Sequence, residues 1–308
     1  MDMTFQETIL LKGRPRLVDA ASIHGKTFLI SKGLLRIASP KNGWHEDVHN
    51  PEEVVQALKR ISHRVDMLKF WQKLPDVDPK FTYYRESVDI AAIPITDYRH
   101  WWEKQIVSNA RNKIRKAQKQ GVVFKEVALD DHLIRGIVDI FNQSPVRRGK
   151  PFWHYGKTFE TVKDEMSLRV KDSVFVGAYF GDELIGFIKV LLEGQYARST
   201  MILDKVSQRD KAPVNGMLAK VVEICAERKL PFFLYSTWRR GDHGHFQQSN
   251  GFEKVSIPEY FVPLTLKGKL ALRVGLHKGI KEAVPESVMV RLLALRMKWY
   301  SKHGRQSE

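Results

Sequence analysis

The spacing of apolar and polar residues changes period along the chain, and each change marks a predicted element. Between 102 and 117, apolar residues recur every three or four positions, which predicts one stripe of an amphipathic helix. We expect Thr96 or Asp97 to cap its start and Gly121 to adopt the left-handed conformation past its end. Alternating apolar residues then predict a strand over 122–127.

The same patterns predict a mixed α/β order for the rest of the chain. In chain order, the other predicted elements are strands over 26–30, 34–38 and 88–94 with a helix over 52–60, then helices over 130–142, 159–171, 213–227 and 246–249 with strands over 174–180, 184–190, 199–206, 232–236 and 252–264. The turn at 181–183 gives the clearest hairpin signal. Because strands and helices neither alternate strictly nor segregate, we expect a mixed sheet flanked by helices.

Three segments follow from these patterns. We predict an N-terminal α/β subdomain over 1–95 and a second domain over 96–265 that includes a basic helix over 97–120. Residues 266–308 form a predicted basic, amphipathic helical tail. Such a tail can contact an anionic membrane peripherally, or it can dock on its own domain by its apolar face.

The net charge says more about the partners of the protein than the rest of its composition does. The chain has 51 Lys and Arg against 35 Asp and Glu, a formal charge of +16. This excess favours phosphate-bearing partners such as a nucleotide cofactor, RNA or an anionic membrane, although a basic protein can also be kept soluble by self-repulsion. No acid lies between Arg111 and Lys119, so Arg111, Arg115 and Lys116 are predicted contacts for a polyanion.

Several classes of protein are disfavoured. The single cysteine, Cys225, excludes an internal disulfide, and its apolar neighbours predict a buried thiol. The first residues lack the pattern of a signal peptide and no apolar run is long enough to span a bilayer, so we expect a cytoplasmic protein. No Cys/His spacing suits a metal site, and no Gly-x-Ser-x-Gly elbow is present.

Three features together resemble the GNAT-like acyltransferase superfamily: the Arg-Asn-x-Ile-Arg-Lys-Ala-x-x-x-Gly element over 111–121, the hairpin, and Asn250-Gly-Phe252. The first of these resembles the Fem-type branch of aminoacyl and acyl transferases in particular. The resemblance covers 97–264 and implies a GNAT-like, largely antiparallel mixed sheet. It also implies transfer of an acyl group from acyl-CoA, acyl-carrier protein or aminoacyl-tRNA to an amine of a small metabolite or cell-envelope precursor.

The resemblance places the donor at a phosphate-binding loop, here 207–213. Such loops hold a pyrophosphate through backbone N–H groups and the N-terminus of the next helix. Gln208 fits the loop pattern, but Lys211 replaces a glycine and Pro213 replaces a small residue that has an N–H. The predicted donor-binding residues are Gln208, Arg209, Lys211 and Asn215.

A second departure concerns the proton donor. Many GNAT members have a tyrosine four residues before the Gly-Phe of the last helix, where this chain has Gln247. Tyr235, His243 or His245 could lie nearby, although histidines in such a glycine-rich stretch are often solvated loop residues. The predicted catalytic residues are Tyr235, Glu193 and Asp204, the last two of which could equally be exposed residues of the sheet.

The loop over 144–157 interleaves cations with aromatic residues. Such a loop can close over an anionic acceptor and exclude water, or it can be an ordered basic surface loop. Its predicted acceptor-binding residues are Arg147, Arg148, Lys150, Trp153, His154, Tyr155 and Lys157. An alternative to the enzyme is a non-catalytic basic module of the same fold that binds RNA or an anionic membrane surface.

Overall fold

The computed structural model describes residues 3–11, 14–61, 64–147, 149–239 and 241–278. Within these ranges, twelve strands form one sheet in the order β1-β2-β3-β4-β5-β14-β6-β13-β12-β11-β10-β7, and β8 and β9 form a separate small hairpin. The strands are β1 Met3–Leu11, β2 Arg14–Ile23, β3 Lys26–Ile30, β4 Ile37–Pro40, β5 Met67–Trp71, β6 Tyr84–Pro94, β7 Val122–Val127, β8 Val146–Arg147, β9 Lys150–Pro151, β10 Ser173–Phe180, β11 Glu183–Leu192, β12 Tyr196–Asp204, β13 Phe232–Thr237 and β14 Glu253–Pro263.

Helices cover both faces of this sheet. The α-helices are α1 Pro51–Arg60, α2 Tyr98–His100, α3 Ser108–Lys119, α4 Asp131–Asn142, α5 Phe159–Ser167, α6 Pro213–Glu227, α7 Asp242–Ser249 and α8 Leu266–Arg273. Helices α3 and α6 share one apolar core with the C-terminal part of the sheet, and α4 and α5 share another. In the described residues, no helix is both long enough and apolar enough to cross a bilayer.

The sheet contains the same strand arrangement twice. In the first half, β1 to β4 pair antiparallel, α1 follows, and β5 returns parallel to β4. In the second half, β7, β10, β11 and β12 pair antiparallel, α6 follows, and β13 returns parallel to β12. Parallel neighbours need a crossover connection, which α1 and α6 supply. The two halves exchange their last strands, because β14 pairs with β5 and β6 pairs with β13.

The expected mixed, largely antiparallel sheet flanked by helices is confirmed. The strand over 122–127, the helix over 213–227 and the hairpin all form where the sequence predicts them. Cys225 is buried on α6, and this burial raises the pKa of its thiol to about 12. Gly121 has a φ of +91°, as a residue that ends a helix in the left-handed region does.

The basic helix differs from the prediction, because it is interrupted. The Asp97 side chain caps the short α2 by accepting from the His100 amide at 2.7 Å, and a π-helical turn then covers Trp101–Gln105. Val107 has an extended backbone, with ψ near 153°, and α3 begins at the next residue. The Val107 amide donates to the Ser249 carbonyl at 3.2 Å, so a partner outside the helix satisfies it.

Candidate active site

The main cleft lies where β12 and β13 separate. These parallel strands pair over only three positions, from Tyr196 opposite Phe232 to Arg198 opposite Leu234. Beyond them, β12 stays with β11 and β13 stays with β6, which leaves a gap within the sheet. The gap opens into a cleft of about 830 Å³, called here the β12–β13 cleft, which is lined by Arg147, Phe152, Ile202, Leu203, Asp204, Arg209, Val214, Tyr235, Asp242, His243 and Phe246.

One wall of the cleft includes the start of α6. The helix begins at Pro213, directly after Ala212, whose φ is +48°, and Val214 in its first turn lines the cleft. Among the residues that the structure describes, no side chain caps this end of the helix. The N-terminus of a 15-residue helix carries a partial positive charge, so this wall favours a negatively charged group.

Two arginines, Arg209 and Arg147, hold neighbouring segments against the end of β12 at the rim of the cleft. The Arg209 guanidinium contacts the Asp204 carboxylate through its Nε at 3.1 Å and its Nη2 at 3.3 Å. Arg147 donates to the backbone carbonyls of Asp204 at 3.0 Å and Ile140 at 2.6 Å, and its guanidinium lies 4.3 Å from the centre of the Phe152 ring. Arg147 therefore fastens the β8–β9 hairpin to the end of β12.

The loop that follows β9 is held by a buried histidine. His154 is 4% exposed and packs 4.3 Å from Phe141, ring centre to ring centre. Its Nδ1 lies 3.2 Å from the Lys157 ammonium, which also pairs with Glu165 at 2.6 Å. Burial, together with the charges of Lys157 and Arg147, lowers the pKa of His154 to about 3, so the imidazole is neutral at physiological pH.

The opposite rim of the cleft is fixed by Gln247. This side chain is fully buried, accepts from the Arg239 amide at 3.0 Å, and donates to Ser236 Oγ at 3.3 Å and the Thr237 carbonyl at 3.2 Å. Gln247 occupies the position where many GNAT members have a tyrosine. In this protein the position joins α7 to the end of β13.

The structure places two of the three predicted catalytic residues in the β12–β13 cleft, namely Tyr235 and Asp204. Glu193 lies near the opposite end of β12, where it accepts from Arg169 at 2.7 Å and from Arg198 at 3.2 Å. It lines a separate polar pocket that also contains His45. Glu193 precedes the predicted strand over 199–206 and Asp204 lies near its end, so the sequence already places the two carboxylates at opposite ends of that strand.

Among the predicted donor-binding residues, only Arg209 lines the cleft. The Lys211 ammonium lies 4.9 Å from the Phe180 ring centre, beside the β10–β11 turn. Asn215 donates to the Asn250 side chain at 2.8 Å. Gln208 is partly buried, and its Oε1 has no hydrogen-bond partner among the described residues.

The predicted acceptor loop is only partly directed toward the cleft. Arg147 lines it together with Phe152, which the sequence analysis did not select. His154 and Lys157 support the loop from within, as described above. Lys150, Trp153 and Tyr155 are exposed, and Arg148 lies outside the described residues.

The predicted polyanion contacts also divide. Arg111 Nη1 lies 2.8 Å from the carbonyls of both Trp102 and Ile106, so this arginine caps the π-helical turn. Arg115 and Lys116 line a shallow groove of about 520 Å³ together with Asn112, Lys119 and Gln120. We call this groove the α3 basic groove; its cations are Arg115, Lys116 and Lys119.

Helix α3, which carries this groove, packs against the 3-10 turn over Val206–Lys211. The basic tail was predicted for 266–308. Its first part forms α8, which is capped by Thr265, and the part over 279–308 lies outside the described residues. Among the described residues, no three His, Cys, Asp or Glu side chains are grouped so that they could hold a metal ion.

Comparison with known proteins shows what this fold resembles. No protein-family model matches the sequence, and no curated protein is significantly similar to it. Among solved structures, FemX superposes with a TM-score of 0.55 at 9% identity, over 88% of this chain and 90% of that one.

Two further solved structures are similar. The C-terminal domain of a protein described as a lysylphosphatidylglycerol synthetase from Agrobacterium fabrum superposes with a TM-score of 0.54 at 12% identity, over 87% of this chain and 86% of that one. L-PGS from Bacillus licheniformis has a TM-score of 0.50 at 8% identity, over 80% and 84% of the two chains. At these identities the likeness concerns the fold. The chain thus has the GNAT-like fold of FemX, of the Agrobacterium domain and of L-PGS, which confirms the Fem-type resemblance at the level of the fold.

Proposed function

We propose that this protein is an N-acyltransferase that moves an acyl or aminoacyl group onto an amine of a small metabolite or cell-envelope precursor. The observation that carries the proposal is the β12–β13 cleft, which opens where two parallel strands separate beside the start of α6. The cleft is lined by a phenol, Tyr235, and by Arg209, whose guanidinium is paired with Asp204. Fold likeness to FemX and to lysylphosphatidylglycerol synthetases supports a transferase.

Each wall of the cleft has a role in this proposal. The N-terminus of α6 and Arg209 face the donor, because both stabilise negative charge, including the charge that develops on the carbonyl oxygen. Tyr235 donates a proton to the leaving group of the donor. Asp204 holds Arg209 in place through their ion pair instead of acting as a base. Arg147 and Phe152 close the acceptor side.

The backbone hydrogen bonds of the donor loop, the predicted phosphate-binding loop over 207–213, bear on the class of the donor. Coenzyme A in a GNAT site needs backbone N–H groups at this loop, but the Gln208 amide donates to the Lys205 carbonyl and the Ala212 amide donates to the Arg209 carbonyl. Pro213 has no N–H group, and Lys211 is turned toward Phe180. The residues therefore fit a pyrophosphate cradle poorly.

Side-chain cations are better placed than backbone amides to hold a donor. The α3 basic groove has no ion pair to an acid among the described residues, and it packs beside the donor loop. Cations arranged in this way favour a large polyanionic donor. We therefore propose aminoacyl-tRNA or acyl-carrier protein as the donor in preference to acyl-CoA.

The test is product formation by the full chain with each donor class. Acyl-CoA, acyl-carrier protein and aminoacyl-tRNA are incubated with a panel of amines, and new amides are detected by mass spectrometry. We expect product with one of the two polyanionic donors. Arg209→Ala should reduce the yield, because it removes the cleft's cation on the donor side.

Two results would count against the enzyme. The first is the absence of product and of thermal stabilisation with all three donors. The second is binding of tRNA that modest salt abolishes, without any product, which would instead favour the non-catalytic basic module.

A further inference from the structure

One wall of the β12–β13 cleft includes a histidine, His243. Helix α7 begins at Asp242, directly after Gly241 with its φ of +66°, and follows β13 closely in the chain. Both Asp242 and His243 line the cleft, and Phe246, one turn later, lines the same wall. His245, two residues after His243 in the same helix, is not among the lining residues.

The backbone at His243 is held by two contacts on the buried side of α7. Gly244 is buried, and a Cβ at this position would lie 2.3 Å from the Arg239 carbonyl oxygen. The first turn of α7 is therefore packed directly against the segment that leaves β13. Gln247 fastens the same segment through its bonds to the Arg239 amide and the Thr237 carbonyl. A side chain that projects from this turn starts from a fixed position.

Three other candidate bases, Asp204, Glu193 and His154, are placed for different roles. The Asp204 carboxylate holds Arg209 through their ion pair. Glu193 lies near the other end of β12, and His154 is packed beneath the acceptor loop against Phe141. His243 supplies the imidazole of the cleft lining, and imidazole is the side chain that most often serves as a general base.

We propose that His243 accepts the proton of the attacking amine and that Gln247 is the residue that positions it; this inference rests on the proposed function. The amine nitrogen forms a bond to the donor's carbonyl carbon, and the carbonyl π electrons move to oxygen. The ammonium proton passes to the unprotonated imidazole nitrogen of His243. The carbonyl then re-forms, the bond to sulfur or oxygen breaks, and the leaving group takes up one proton, so that an amide and a thiol or alcohol result.

The test uses the donor and amine that give product with the wild type. His243→Ala should lower kcat by about 10²- to 10⁴-fold, the usual contribution of a general base, with little change in the KM of the donor. The matched His245→Ala should stay within about twofold of the wild type. Imidazole added to the solution should restore part of the activity of His243→Ala, which a merely structural role would not allow.

A double-mutant cycle tests the positioning role. Gln247→Leu should lower kcat in the wild type but should cause little further loss in the His243→Ala background, because its effect passes through His243. Additive losses would overturn the role of Gln247. A kcat for His243→Ala within about fivefold of the wild type, or a loss that imidazole does not restore, would overturn the role of His243 while leaving the transferase intact. A wild type that forms no product would remove both proposals.

Discussion

Acid should loosen the acceptor loop through His154. Folding lowers the pKa of this imidazole from 6.5 to about 3, chiefly by burial and then by the charge of Lys157. The unfolded chain therefore binds the proton first as the pH falls. The stability that depends on neutral His154 is complete above pH 6.5 and is lost progressively as the pH falls toward 3. Between pH 7 and pH 5 this linkage amounts to about 2 kcal/mol.

The measurement is urea unfolding of the wild type and of His154→Gln at pH 7 and pH 5. We expect the wild type to lose about 2 kcal/mol more than the variant over this interval, because a glutamine side chain does not titrate. Trp153→Phe is the matched control. It alters a ring whose centre lies 3.5 Å from that of His154 but removes no titratable group, so it should keep the wild-type pH dependence. Equal losses for the wild type and His154→Gln would refute the reasoning.

Two further predictions concern packing and hydrogen bonding at α3 and α6. Gly216→Ala would place a Cβ 2.0 Å from the Phe124 ring and should destabilise the protein by about 1–3 kcal/mol in urea unfolding. Phe124→Leu in the same chain should recover part of this loss. An unchanged unfolding midpoint for Gly216→Ala would contradict the close packing of α6 on β7. Arg111→Ala should cost about 1–3 kcal/mol because it leaves backbone carbonyls without their donor, whereas the exposed Arg115→Ala should cost less than about 0.5 kcal/mol; equal effects would argue against the capping role of Arg111.

Local patterns in the sequence were sufficient for many of the elements. Short-range spacing, a turn glycine and Pro213 specify the β10–β11 hairpin and α6, and the structure contains both elements where they were predicted. The pairing of β1 with β2 was not predicted, and the repeated arrangement of the two halves was not predicted either. The repeated arrangement depends on partners far apart in the sequence, including the exchange of β6 and β14, which no local period encodes.

The interruption of the basic helix shows the same limit. Ile106 and Val107 continue the apolar spacing, so the sequence reads as one helix. The break is stabilised by contacts from elsewhere, namely the bond from the Val107 amide to Ser249 and the Arg111 guanidinium at the end of the π-helical turn. Tertiary hydrogen bonds here outweigh local helix propensity.

The sequence predicted only part of the candidate site, because the other part depends on tertiary contacts. Asp204 and Arg209 end a strand and occupy the loop after it, so a strand prediction places both at one end of the sheet. The role of Gln247 depends on its bonds to β13, which the sequence does not show. The sequence did contain a signal for His243 as a site residue, because it follows a predicted strand and a turn glycine, and residues in such loops often line sites.

The central claim is that acyl transfer takes place in the β12–β13 cleft, and filling the cleft tests it most directly. Ile202 lines the cleft and is partly exposed, so Ile202→Trp should occupy the space with little loss of thermal stability. Val123→Trp, at a position 54% exposed on the edge strand β7, is the matched control. We expect amide formation, measured by mass spectrometry, to be abolished in Ile202→Trp and unchanged in Val123→Trp. Wild-type yield from a folded Ile202→Trp protein would contradict the claim.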